Sequence, residues 1–578
     1  MDITVKLWSE SAFLPLLTLM TLVPLAAMFI ILLLDSPRFN RWIGYFSSTV
    51  SAMLALFLLH AFDSENTGIQ LAEHLAIFGL NYTVGVDGAN ILYIVLTTFI
   101  GLLSLIYVQG SRHANDGQVI AAILGYQTIL TGAFSALNAL QFWLWSALEI
   151  LPIAFLTVHA GTGHHRKKAV TLLVQFWGSG LLLSFLGFML LGFGIEDPDQ
   201  ALNFDWLTLA QNNAPFMNET LIFILLFYGF AVRMPLFPFH AWLPYLAEQG
   251  PVAAGLVFVV GLKLGLYAFI RFILPLIPGV ADEWARLVVI MGLISVFYGA
   301  TLALMQINIR RLLAYAVISQ TGMLIVGSIT FEVSGVEGAI LLSLAFGLAA
   351  VGLIFSTGFI YERLQTSAMP RLGGLFDSNT ALGILFLAAT CSTIAMPGTP
   401  GFDAAHMLIE GIVEKNGWVI AVVIALGNLL ATAFLLWAFQ RIFLMDPKHG
   451  RSADKPHQSL NQERLITVLI CLCLGITGFY SGPWQAIVET ATGTIGKYYN
   501  IHNSIYENDN GSTYEIETID QQDAPESDET PEPGENEDSE THSAPNLKLD
   551  EDQAPELNHK RSSGSIEKHP ALFNTEDV

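Results

Sequence analysis

The sequence has 578 residues, of which 53% are hydrophobic and 13% charged, with a mean hydropathy of +0.54. That is too apolar for a soluble multidomain protein and excludes a cytosolic enzyme. The formal net charge of −23 is concentrated at one end: residues 501–578 hold 21 acidic and 4 basic side chains, a balance of −17 that leaves −6 on the first 500.

In chain order, apolar runs between polar breaks fall near 13–34, 41–62, 89–107, 118–137, 139–159, 169–194, 219–240, 251–274, 285–306, 311–330, 336–360, 379–397 (continuing as 403–414), 418–443 and 465–484. Each is long enough to cross about 30 Å of hydrocarbon. The pattern predicts an all-α polytopic membrane protein of about 14 transmembrane helices. The first run is too long for a signal peptide and lacks a small-residue cleavage site, so it reads as a retained span. Cys391, Cys471 and Cys473 all lie in apolar spans and form neither a disulfide framework nor a metal-ligand spacing. Residues 501–578 are rich in Pro, Ser, Asn, Asp and Glu and are expected to form a disordered acidic tail. That tail reads either as a solvated extension or as a docking segment.

Lys and Arg are retained on the cytoplasmic side of short connections. Alternate connections on one side hold fifteen, from Arg38, Arg41 and Arg112 through Arg166, Arg310 and Arg363 to Lys448, Arg451, Lys455 and Arg464; the other side has only Lys6, Arg286, Lys415 and Lys497. Both termini are therefore expected outside the cytoplasm.

Two spans carry helix-breaking residues in their interiors. The seventh reads AVRMPLFPFHAWLP, with Pro235, Pro238 and Pro244, and the twelfth is split by Pro397-Gly398-Thr399-Pro400-Gly401. A broken helix frees backbone groups that hydrocarbon cannot satisfy, so such breaks survive only inside the protein or along a watered cavity. They point to a transport path, the alternative being a packing kink.

Ionisable side chains within the spans are few, and each costs roughly 2.5–3.5 kcal/mol at a helix centre. Lys263 lies mid-span in VVGLKLGLYAFIRF, between Gly261 and Gly265, which allow neighbouring helices to approach. Water access and the distance of a carboxylate can switch the charge of such a lysine; the alternative is a permanently charged anchor. Arg233 in the seventh span does not release a proton under ordinary conditions, and its expected partner is Glu149 of the fifth span. That pair reads either as a modulator of a proton site or as a fixed structural tie. Asp403, His406 and Glu410 follow the twelfth-span break at helical spacing, which suits a relay, although Asp403 also suits a helix cap. Arg271, at the end of the eighth span, reads as a snorkelling interfacial residue.

The ordered set VDGAN (86–90), an acid ahead of a proline in the fifth span, AVRMPLFPFHAWLP (231–244), KLGLYAFIRF (263–272), QINIRRLLAYAVISQTGM (306–323), YERLQT (361–366) and MPGTPGF (396–402) resembles the antiporter-like membrane subunits of proton-pumping NADH:quinone oxidoreductase. It is most similar to the subunit M or chain 4 family, with cation/proton antiporter D subunits related. The likeness runs over about residues 75–445 and leaves out the acidic tail.

The resemblance implies two inverted five-helix repeats with broken helices at the seventh and twelfth spans, and a midplane line of polar residues through which protons move. The corresponding regions are residues 1–117 for the N-terminal spans, 118–274 and 285–443 for the two repeats, 444–500 for a loop and last span, and 501–578 for the tail. It implies no cofactor or metal on this chain. Its partners would be other membrane subunits in a cell inner membrane, with quinone and NADH handled by those partners and no nucleic acid. Lys263 corresponds to the family's central lysine and Arg233 to the lysine of its seventh span. The family's fifth-span glutamate falls on Ala147, two positions before Glu149. Its tenth- and eleventh-span histidines fall on Gln320 and Phe346, its twelfth-span lysine or glutamate on Ala405, and its aspartate after WLP on Tyr245.

Half of the implied axis is thus substituted. The resemblance leaves open a pump subunit rerouted through Asp403 and His406, a specialised relative that keeps only an inlet around Arg233 and Lys263, and a non-conducting structural subunit. Relatives of the inlet-only kind serve inorganic-carbon uptake.

Overall fold

The computed structural model describes residues 5–34, 36–77, 80–111, 116–193, 203–211, 216–446 and 461–492. The acidic tail, the chain ends on which the terminal orientation rests, and the basic residues Arg112, Lys448, Arg451 and Lys455 lie outside the described residues.

The helices, in chain order, are α1 (Leu16–Leu33), α2 (Pro37–Ala61), α3 (Ile91–Gln109), α4 (Gly117–Ser135), α5 (Ala139–Ala160), α6 (Arg166–Phe193), α7 (Glu219–Arg233), α8 (Trp242–Gln249), α9 (Val252–Ala268), α10 (Ala285–Leu304), α11 (Ile309–Ser328), α12 (Val333–Leu364), α13 (Thr380–Thr393), α14 (Pro400–Asn416), α15 (Trp418–Phe439) and α16 (Asn461–Phe479). Among the described residues, eleven helices are long and apolar enough to cross a membrane. The three expected spans missing from that set are the interrupted ones. The seventh is divided into α7 and α8, the twelfth into α13 and α14, and the eighth passes from α9 into a π-helical turn at Phe269–Ile273.

The outer surface of the spans is itself apolar: Phe46, Leu182, Leu429, Val468 and Ile476 are all exposed. An apolar exterior fits a protein whose surrounding solvent is hydrocarbon. The most enclosed helix is α12, and α9 packs against α3, α4, α7 and α12. Lys263 therefore sits on a central element.

The all-α expectation is modified by a small sheet. Strands β1 (Val5–Leu7), β2 (Ile69–Ile77) and β3 (Leu80–Val86) run in the order β1-β2-β3. β1 lies parallel to β2, with Val5 opposite Ile69, and β2 pairs antiparallel with β3 from Gln70 opposite Val86 to Ile77 opposite Leu80. Leu80, Tyr82, Val84 and Val86 alternate with Asn81, Thr83 and Gly85, which suits a pleated strand rather than a helical stripe. Glu73 of β2 reaches the start of α1, where its carboxylate accepts the Leu17 and Thr18 amides at 2.8 and 3.0 Å. It thereby satisfies helix-end donors that α1 cannot satisfy itself.

The first break lies largely inside the protein, whereas the second reaches the surface, where Met396 and Pro397 are exposed. Between α7 and α8 the Trp242 indole donates to the Val232 carbonyl at 3.1 Å, and the Phe237 amide donates to Ser295 Oγ at 2.9 Å. Pro235 and Pro238 both lie in this unwound stretch, and the Phe237–Pro238 bond is cis. Between α13 and α14 the Asn428 carboxamide donates to the Ile394 carbonyl at 3.2 Å. Gly398 has φ +83°, a left-handed conformation natural to glycine. Pro397 lies in the break, whereas Pro400 opens α14, where its missing N–H costs nothing.

Candidate functional site

The fifth span bends at Glu149. Pro152 has no amide to return to the Leu148 carbonyl, and the span consists of Ala139–Leu148 and Ile150–Ala160 meeting at that residue. Glu149 is fully buried, while Ala147 is only half-buried. The acid therefore occupies the inward position, two residues after the place the family resemblance assigns to a glutamate. Its Oε1 accepts from the Tyr126 hydroxyl of α4 at 2.6 Å, and its Oε2 is paired with the guanidinium of Arg233.

Arg233 ends α7 at the break and is 7% exposed. Nη1 donates to the Ser146 carbonyl at 3.3 Å, and the guanidinium lies 4.9 Å from the centre of the Trp177 ring of α6. The expected Glu149–Arg233 pair is present and ties α5 to the broken span. Removal of either partner would leave the other buried without compensation.

Lys263 is 4% exposed. Among the described residues it has no ion-pair or hydrogen-bond partner, and its ammonium stands 5.9 Å from the centre of the Phe346 ring on α12. The flanking glycines act as expected. Gly261 lies against Glu149 Oε1 and the Tyr126 hydroxyl, and Gly265 against Met234 and the Phe230 carbonyl at the end of α7. The unpaired ammonium is thus carried on the same helix that packs over the buried ion pair.

A cleft of about 870 Å³, measured with its mouth, runs between α5, α8, α11 and α12. Its lining is mostly aliphatic, with Thr157, Gln320, Thr357 and Thr393 supplying polar groups, and it includes Leu262, the neighbour of Lys263. Arg310 also lines it. Expected as an ordinary connection residue, Arg310 is 8% exposed; it donates to Thr162 Oγ1 at 2.5 Å and to the Gly250 carbonyl, fastening the ends of the fifth and seventh spans.

The other candidates lie elsewhere. The Asp403 carboxylate, in the first turn of α14, accepts from the Ser481 hydroxyl at 2.5 Å; Thr399 occupies the cap position, so Asp403 is not the cap. His406 and Glu410 are exposed on the same helix. No hydrogen bond or ion pair among the described residues joins these three to the Glu149–Arg233–Lys263 group. Nor do any three His, Cys, Asp or Glu side chains among the described residues gather closely enough to hold a metal ion.

Arg271 requires a correction. It is not a snorkelling residue at the interface: it is 5% exposed, paired with Asp87 of the VDGAN segment, and lies 3.9 Å over the Trp206 ring, whose indole donates to the Arg271 carbonyl at 2.8 Å. A carboxylate 184 residues away in sequence draws the guanidinium inward. His240, in the seventh-span break, carries no signal in the sequence that sets it apart; it is 7% exposed and its ring lies 4.9 Å from that of Tyr298.

Two broken spans, a buried acid–guanidinium pair and an unpaired lysine on a central helix define an antiporter-like polytopic membrane protein. The sequence profile of the NADH:quinone oxidoreductase/Mrp antiporter transmembrane family matches residues 136–431, a range that contains Glu149, Arg233, Lys263, Asp403 and His406. NADH-quinone oxidoreductase subunit M of Rhodobacter capsulatus is 31% identical over 447 residues, covering 74% of this chain and 86% of that protein. NADH-ubiquinone oxidoreductase chain 4 of Chondrus crispus is 27% identical over 442 residues, covering 75% and 88%. A chain of respiratory complex I from Thermus thermophilus shares the fold with a TM-score of 0.75 at 24% identity, over 84% of this chain and 99% of its own. A chain of the Mrp complex from Dietzia sp. DQ12-45-1b does so with a TM-score of 0.72 at 15% identity, over 85% and 98%. The chain belongs to the NADH:quinone oxidoreductase/Mrp antiporter transmembrane family, and its curated relatives are M and chain 4 subunits.

Proposed function

We propose that this chain is the proton-translocating M-type subunit of an NADH:quinone oxidoreductase-like complex. It spans a cell inner membrane with both termini outside the cytoplasm, beside other membrane subunits that carry the quinone and NADH chemistry; no cofactor resides on this chain. The single observation that carries the reading is the unpaired Lys263 ammonium on the helix whose Gly261 covers the Glu149–Arg233 pair. A charge that reaches or leaves Lys263 alters the field on the pair, and displacement of the pair alters the field at Lys263; this is how two sites in low dielectric couple. Arg233 biases the site without relaying the proton. The cleft beside Leu262, with Arg310 at one end, supplies an inlet from the basic side of the membrane. Asp403 and His406 form the proposed exit of the second, substituted half of the chain.

A second reading keeps only the inlet, as in relatives that serve inorganic-carbon uptake. It is favoured by Phe346, whose ring faces Lys263 where the family resemblance assigns a histidine. Purification of the native assembly through a tag on this chain separates the two. Flavin- and iron–sulfur-bearing partners with NADH:quinone activity are expected. A zinc carbonic-anhydrase-like partner in their place would support the inlet-only reading.

A further inference from the structure

A second polar series leads away from Lys263 on the side opposite the Arg310 end of the cleft. Tyr267 follows Lys263 by four residues on α9 and so shares its face, and Arg271 lies four residues further on, in the π-helical turn. Tyr267 is 1% exposed, and its hydroxyl donates to the Phe134 carbonyl at 3.1 Å. The same carbonyl accepts from the Asn90 carboxamide at 3.0 Å. Asn90 Oδ1 in turn accepts the Asp87 amide at 2.9 Å, and the Asp87 carboxylate is paired with Arg271. Beside this line the Tyr93 ring lies 6.1 Å from that of Tyr267, and its hydroxyl is bonded to Ser343 Oγ. Ser343 stands one turn before Phe346, the residue that faces Lys263. Polar groups are thus found from Lys263 towards the end of α9 that lies near the sheet, held in place through the Phe134 carbonyl and the Asp87 amide, neither of which relays a proton.

We infer that the half of the protein containing Lys263 has an outlet of its own, ending at Asp87 and independent of Asp403 and His406. The inference rests on the proton-translocation reading above. A proton leaves the Lys263 ammonium, which becomes a neutral amine. The Tyr267 hydroxyl, with the Tyr93–Ser343 pair beside it, accepts one proton and gives up one, so neither changes its net charge. The Asp87 carboxylate takes the proton, becomes a neutral acid, and releases it to the aqueous phase on the sheet side. The proposed transfer therefore requires one bridging water between Lys263 and Tyr267 and another between Tyr267 and the Asp87 carboxylate. To pass the proton on, Tyr267 turns its hydroxyl away from the Phe134 carbonyl. Arg271 is paired with Asp87 and fixes where its carboxylate sits, so it is a positioning residue.

The test counts protons translocated per NADH oxidised by the whole complex in proteoliposomes. Tyr267→Phe keeps the ring packing and removes only the hydroxyl; it is expected to lower the ratio as far as Lys263→Ala does, while the Asp403→Asn/His406→Phe double variant loses less. Ser343→Ala is expected to lower the ratio in the same direction and serves if the tyrosine variant does not assemble. A wild-type ratio in Tyr267→Phe, or in Ser343→Ala where that variant stands in, alongside a reduced ratio in Lys263→Ala, overturns the outlet and leaves the function standing. A wild-type ratio in Lys263→Ala overturns both.

Discussion

Gly261 and Glu149 touch so closely that a side-chain carbon on the glycine would begin 2.1 Å from the Glu149 Oε1 atom. The carboxylate cannot step aside cheaply, because Arg233 holds its other oxygen and the Tyr126 hydroxyl holds this one. Gly261→Ala is therefore an overpacking change, expected to cost about 1–3 kcal/mol. A lower thermal midpoint of the assembled complex, with reduced proton uptake, is the expected outcome. Unchanged values would mean that α9 does not press on the pair.

The Glu149–Arg233 pair distinguishes a structural tie from a working element. Removing one partner of a buried pair leaves an uncompensated charge and costs about 3–5 kcal/mol, whereas replacing both by apolar residues of similar volume is often close to neutral. Glu149→Leu and Arg233→Met should each reduce the yield of assembled complex, and the double variant should recover most of it. Proton uptake measured in that double variant decides the role: continued loss assigns the pair to transport, and full recovery makes it a structural tie.

Glu73 gives a pH dependence outside the spans. Burial raises its carboxyl above the ordinary carboxylate range, against the lowering effect of the Thr18 hydroxyl and of the two amides it accepts. A raised acid binds its proton more tightly when folded than when unfolded. Its contribution is therefore present at low pH and is lost as pH rises from the ordinary carboxylate range through the raised folded value. Thermal unfolding followed from acidic to neutral pH should show this loss in the wild type, and Glu73→Gln should remove that part of the slope.

His406 is exposed on α14 and has no hydrogen bond or ion pair among the described residues. His406→Phe should alter stability by less than about 0.5 kcal/mol. A fall in proton uptake in that stable variant would therefore report directly on the proposed second-half exit.

What was legible in the sequence follows a physical rule. Lys263, Arg233 and Glu149 stood out because a charge within an apolar run is costly enough to require a partner or a use, and the prolines marked the breaks because they remove backbone donors. The Arg271–Asp87 pair was hidden, since an arginine at a span end looks like any interfacial cation until a distant carboxylate is brought beside it. The exposure of His406 was hidden for another reason: the face it takes depends on where the helix restarts, and Pro400 fixes that start only in three dimensions. The sheet is hard to see in the sequence because the segments from Ile69 to Ile77 and Leu80 to Val86 are short beside the apolar spans around them, and one of them closes on α1 through Glu73 only in three dimensions.

The most direct test is the number of protons translocated per NADH oxidised by the intact complex carrying Lys263→Ala, compared with wild type at equal assembly. A lower ratio is expected, because the variant removes the ionisable group that faces Phe346 without a charged partner among the described residues. An unchanged ratio at equal assembly would contradict it and leave Lys263 a structural residue.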